Sequence, residues 1–130
     1  MALNPKLLDW TGKRVWLVGA SSGIGAAMAR ELAGRGARLA LSARSAEKMR
    51  SLGIEQALIL PCDATDVASL AAARATLLAA WGGVDLVVYL AGDYVPMRAD
   101  HFDLAIAERV VTVNFNAAMR LASVVLPDLR

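Results

Sequence analysis

The sequence predicts an α/β fold: the first half of a doubly wound parallel sheet, strand order 3-2-1-4, with flanking helices. Three observations lead there. Short apolar or β-branched runs alternate with longer stretches whose apolar residues recur every three to four positions, the pattern of βαβ units. A glycine-rich turn separates the first run from the first helical stretch. The composition, 57% apolar and 20% charged with mean hydropathy +0.47, supplies a core and excludes an intrinsically disordered chain. At 13.7 kDa, a compact fold is expected to expose about 6,600 Å² against about 20,000 Å² unfolded.

The first strand is Arg14 to Val18. A helix follows from about Gly23 to Arg35, with Ile24, Met28 and Leu32 at four-residue intervals expected to face the sheet and Arg30, Glu31 and Arg35 to face water. Gly36 ends it. A second strand, Arg38 to Ala43, leads to a short helix around Ala46 to Leu52 and a third strand from Ala57 to Leu60. The spacing of Leu70, Ala73, Leu77 and Trp81 predicts a helix over Val67 to Trp81, closed by Gly82 and Gly83. The fourth strand is Leu86 to Tyr89, and a long helix runs roughly from Leu104 to Leu126, ending near Pro127. Right-handed crossovers, with a reversal beside the first strand, give the order 3-2-1-4. Strand four then lies at an open edge, with Val87, Val88 and Tyr89 unprotected on one side.

Fourteen basic and twelve acidic residues are interspersed, so the pI near 9.0 reflects a small difference and no nucleic-acid partner is indicated. One cysteine, Cys62, excludes an internal disulfide, and no Cys/His cluster is spaced to hold a metal. A reducing, cytoplasmic setting is expected. The opening stretch Met1 to Gly12 carries Asn4, Pro5, Lys6 and Asp9 and lacks the apolar centre of a secretory signal. The apolar stretches Val84 to Ala91 and Leu121 to Leu126 are shorter than the ~20 residues a spanning helix needs, so no membrane span is expected.

The turn reads Gly19-Ala20-Ser21-Ser22-Gly23-Ile24-Gly25. Glycines there permit positive φ and close backbone approach, while free amide N–H groups at a positive helix end favour a pyrophosphate. Ser21 and Ser22 add hydroxyl donors. A glycine-rich turn can be merely a turn, but the order strand, turn, helix points to a Rossmann-type dinucleotide site. No Gly-Lys-Ser/Thr follows, which disfavours a nucleotide-hydrolase loop. An NAD site usually places an acid about 20 residues after the turn. At the end of strand two this chain reads Leu41-Ser42-Ala43-Arg44-Ser45. Arg44 suits a 2′-phosphate, so NADP(H) is expected over NAD(H); the alternative is a solvated arginine. The missing acid also disfavours an S-adenosylmethionine site.

With these residues in view, the chain resembles the short-chain dehydrogenase/reductase (SDR) family over essentially its whole length. Gly19 to Gly25 looks like that family's cofactor motif, and Thr11-Gly12-Lys13 is similar to its lead-in. In Cys62-Asp63-Ala64-Thr65-Asp66 the resemblance implies that Asp63 contacts the adenine amino group, with the backbone of Ala64 beside it; Asp66 reads better as a helix N-cap. Where the family has Asn-Ala-Gly after strand four, this chain has Leu90-Ala91-Gly92. Ala91 and Gly92 still allow the backbone to approach the cofactor ribose, while Leu90 lacks the bracing side-chain amide. Asn114 falls on the apolar stripe of Val111, Ala118, Leu121 and Val125, where an unbonded polar group would be costly. The resemblance makes it the one catalytic-type residue carried over, one that kinks the helix and holds a water linked to the active-site lysine. The plainer alternative is a satisfied structural amide.

The family's chemistry needs a serine, a tyrosine and a lysine four residues after the tyrosine, acting on a small carbonyl or alcohol substrate. The resemblance therefore implies an NADP(H)-binding Rossmann domain over residues 1–130 that stops before the Tyr-x-x-x-Lys region and is inactive alone. Tyr89 and Tyr94 are followed four residues on by Asp93 and Arg98, and every lysine lies at or before Lys48. His101 reads as a solvated or capping residue and Cys62 as a small core residue. A homo-oligomer is plausible for the full-length protein. A non-catalytic dinucleotide-binding or sensing module, and an interaction fragment with a bare sheet edge, are the alternative functions.

Overall fold

The computed structural model describes residues 6–129, so Asn4, Pro5 and Arg130 lie outside the described residues. Four parallel strands, β1 (Arg14–Val18), β2 (Arg38–Ser42), β3 (Leu58–Ile59) and β4 (Leu86–Tyr89), form one sheet in the order β3-β2-β1-β4. Trp16 lies beside Ala40 on one side and Val87 on the other. Residues 15–18 of β1 are all buried, because helices cover both faces and each successive side chain enters one core or the other. Trp16, Val18 and Ala40 pack with Leu70, Leu77, Leu121 and Val125. Val15, Leu17, Leu39 and Leu41 pack with Ala29, Leu32 and Met49.

The helices are α1 (Gly23–Gly34), α2 (Ala46–Arg50), α3 (Val67–Trp81), α4 (Leu104–Val111) and α5 (Ala117–Val125). In α3 the Asp66 carboxylate accepts from the Ala68 N–H at 2.9 Å, and Gly82 at φ +72° closes the helix, so both ends carry a chemical signal. The expected face of α1 is corrected. Ile24 is 75% exposed, whereas Met28, half-buried, packs against the core as expected and Gly25, Ala26, Ala29 and Leu32 face the sheet. Gly25 decides this: a Cβ there would stand 2.0 Å from the Gly19 carbonyl oxygen, so the helix presses its small residues against the strand. β3 is shorter than expected, but Leu60 N–H to Leu41 O (2.8 Å) and Cys62 N–H to Ala43 O (3.0 Å) continue its pairing.

The long helix is continuous but not uniform. Thr112–Asn116 between α4 and α5 form a π turn, with the Ala117 N–H donating to the Thr112 carbonyl five residues back. The extra residue shifts the helix phase, so the inward track runs Val113, Ala117, Leu121, Val125. Val111 and Asn114 are exposed, and Ala118 is half-buried, against the apolar stripe expected for them. By length and composition the run Leu104–Asp128, 25 residues with mean hydropathy 1.3 over its most apolar part, is long and apolar enough to cross a membrane. The short apolar stretches read in the sequence do not reveal this; 17% of that part is buried in this fold.

The exposed surface, 8253 Å², exceeds the expected value of about 6,600 Å². Val111, Phe115, Met119 and Leu126 of the long helical run are exposed, and β4, at the sheet edge, is half-buried throughout.

Candidate functional site

A parallel sheet brings the carboxyl ends of all its strands to one edge, and here that edge collects the turn after β1, Arg44, Asp63 and the loop after β4. The Gly19 and Ala20 N–H groups both donate to the Ser42 carbonyl, at 2.7 and 3.2 Å, tying the turn to the end of β2. Gly19 has φ +98°, and a Cβ on it would stand 2.3 Å from the Ala91 nitrogen. The turn is thus wedged between two strand ends. Gly23, at φ +55°, has no atom within 4 Å of where a Cβ would project.

Ser22 precedes α1 without a side-chain cap, and no acid occupies the first turn. Ser45, Asp66 and Asp103, by contrast, cap α2, α3 and α4. The Ala26 N–H bonds to the Ser22 carbonyl at 3.2 Å, and the N–H groups of Gly23, Ile24 and Gly25 ahead of it, at the positive helix end, have no hydrogen-bond partner among the described residues. Ser21 is half-buried and Ser22 exposed.

Arg44 is exposed at the end of β2 and makes no ion pair or hydrogen bond among the described residues. Asp63 accepts from the Thr65 hydroxyl at 2.7 Å and the Thr65 N–H at 2.9 Å. Those two bonds, with the positive charge of Arg44 as a smaller influence, hold its carboxyl below the usual range. Ala64 packs against the core, and Asp66 caps α3 instead of joining the site.

Beyond β4, an open recess of about 500 Å³ is lined by Leu90, Ala91, Gly92, Asp93 and Asn114 among others. Asn114 satisfies both ends of its amide on one residue: Oδ1 accepts from the Asp93 N–H and Nδ2 donates to the Asp93 carbonyl, each at 2.7 Å. The amide is thus hydrogen-bonded at both ends, at the surface rather than in the core. The Tyr89 hydroxyl donates to the Val113 carbonyl, and burial raises its pKa. Leu90 packs into the core beside β1.

The other candidates lie where the sequence expects them. Cys62 is buried, and burial pushes its thiol up more than a hydrogen bond with Ser42 lowers it. His101 is exposed in a short helical turn, and Tyr94 is exposed on the loop after β4.

Residues 13–130 match the model of the short chain dehydrogenase family. The chain belongs to that family. Among curated short-chain relatives, it is 30% identical to mouse "Dehydrogenase/reductase SDR family member 7", covering 93% of this chain and 41% of that one. It is 35% identical to the "Fatty acyl-CoA reductase" of Acinetobacter baylyi, covering 91% and 43%. A short-chain dehydrogenase/reductase structure from Mycobacterium marinum superposes with TM-score 0.88 at 26% identity, over 94% of this chain and 52% of that one. A dehydrogenase/reductase structure from Sinorhizobium meliloti does so with TM-score 0.86 at 30% identity, over 93% and 51%. The chain therefore spans less than half the length of these curated relatives and about half of these solved structures.

Within this short-chain dehydrogenase fold, two features escape sequence reasoning. Ser42, fully buried, accepts from Trp16 Nε1 at 2.8 Å through its hydroxyl and anchors the glycine turn through its carbonyl. Asp93 pairs with Arg109 Nε at 2.9 Å. A buried serine at a strand end is a weak signal for the first; nothing in the residue pattern signals the second.

Proposed function

We propose that this chain is the cofactor-binding part of an NADP(H)-dependent short-chain oxidoreductase that interconverts a carbonyl and a secondary alcohol. The observation that carries the reading is the uncapped start of α1 beside open space at Gly23, with the unpaired Arg44 on the adjoining strand end. Gly19 and Gly25 shape the turn, and Ser21, Ser22, Gly23 and Ile24 present donors and backbone to the diphosphate. Arg44 takes the 2′-phosphate through charge-assisted bonds, which no carboxylate at the end of β2 opposes. Asp63 and Ala64 meet the adenine, and Ala91 and Gly92 let the ribose approach. When bound, the nicotinamide supplies or accepts the hydride. Asn114 holds the loop after β4 against the long helix at that end of the cofactor.

None of the chain's tyrosines has a lysine four residues on, so these 130 residues bind cofactor without turning it over. NADPH oxidation by the chain with a panel of small carbonyls is expected to stay at background; turnover by the chain alone would refute this. Calorimetric titration tests the cofactor. NADPH is expected to bind roughly tenfold or more tightly than NADH, since a bond to a charged group contributes about 1.5–3 kcal/mol. Arg44→Asp should abolish or reverse the difference. Equal affinities in the unsubstituted chain would overturn the NADP(H) assignment, and no binding of either nucleotide would overturn the whole reading.

A further inference from the structure

We propose that the Asp93–Arg109 ion pair is a positioning device for the nicotinamide end of the cofactor cleft. The inference rests on the cofactor reading above. Sheet order sets the direction: adenine groups gather at β2 and β3 and the diphosphate turn at β1, so the rest of a dinucleotide extends over the end of β4. There the recess wall is the Gly92–Asp93 segment.

Asp93 is held three ways from the long helix. Its N–H and carbonyl are both taken by Asn114, and its carboxylate meets Arg109. Five residues apart in a regular α-helix, positions 109 and 114 diverge by about 140°, yet across the start of the π turn at Thr112–Asn116 both reach Asp93, Asn114 at its backbone and Arg109 at its carboxylate. The ion pair and the two amide bonds together fix the angle at which the loop faces the recess. Arg109 is exposed, with Asp93 half-buried, so the pair contributes little to global stability. Its effect falls on the orientation of one loop.

The test compares NADPH with adenosine 2′,5′-bisphosphate, which lacks the nicotinamide half, on the full chain. Arg109→Gln is expected to weaken NADPH by up to roughly fivefold while leaving the bisphosphate unchanged. Arg109→Lys should recover most of the loss. Asp93→Asn, which keeps both backbone bonds to Asn114, should reproduce the Arg109→Gln split and serves if Arg109→Gln does not fold. Equal weakening of both ligands, or no change in either, would overturn the positioning role while leaving the cofactor reading intact. Failure of the unsubstituted chain to bind either ligand would instead remove the cofactor reading, and this inference with it.

Discussion

Gly23 and Gly25 stand two residues apart in the same turn for different reasons, and the difference is measurable. A Cβ on Gly25 would lie 2.0 Å from a backbone oxygen that cannot rotate away, so Gly25→Ala must push α1 off the sheet. Overpacking of this kind is expected to cost about 3 kcal/mol in chemical denaturation. Gly23→Ala meets empty space but imposes φ +55° on a residue with a side chain, at about 1 kcal/mol. Equal losses would contradict this division. The glycines are legible in the sequence because their spacing is the signal. Ile24 shows the limit: periodicity assigned the large residue to the core, but the backbone contact at Gly25 sets the helix phase and turns it outward. Ser42 is illegible for another reason, since it anchors the turn through a carbonyl that every residue has. The Asp85 carboxylate accepts from the Arg14 guanidinium and backbone N–H, which lower its pKa from 3.8 to about 2. A depressed acid stabilises the fold above its unfolded pKa and loses that contribution as pH falls through the folded one. Stability should therefore decline between about pH 4 and 2, and Asp85→Asn should flatten that stretch of a denaturation-versus-pH curve. An unchanged slope would show that Asp85 is not responsible.

At the scale of elements, legibility follows terminal chemistry. α3 has the bounds expected of it because Asp66 and Gly82 mark its ends, and β1 and β4 match because apolar runs enclosed by turns admit few other readings. The π turn carries no such mark. Its residues, Thr112 to Asn116, are ordinary helix occupants, and what opens the turn is tertiary: Tyr89 bonds the Val113 carbonyl while Asn114 bonds the loop after β4. Tyr89→Phe removes the hydroxyl donor and leaves that carbonyl without it. The expected loss is about 1 kcal/mol of global stability. Amide hydrogen exchange around Ala117 should also quicken relative to α3. Unchanged exchange there would mean that the helix holds its π turn without the strand's help.

For the molecule as a whole, the informative quantity is surface. The fold exposes 8253 Å², well above the roughly 6,600 Å² of a compact protein of this mass. Val111, Phe115 and Met119, four residues apart, stack along one side of the long helical run, with Leu126 two turns further on, and all four are exposed. Soluble monomers rarely show a contiguous apolar patch of more than a few hundred Å². An environment-sensitive hydrophobic dye should therefore brighten on the folded chain under native conditions, where a tightly closed fold would leave it dark. Phe115 and Met119 are 60% and 52% exposed, so replacing both with serine should shift stability by no more than about 0.5 kcal/mol each. The same pair should remove much of the dye signal. If the signal survives the double substitution, the exposed apolar surface lies instead at the β4 edge.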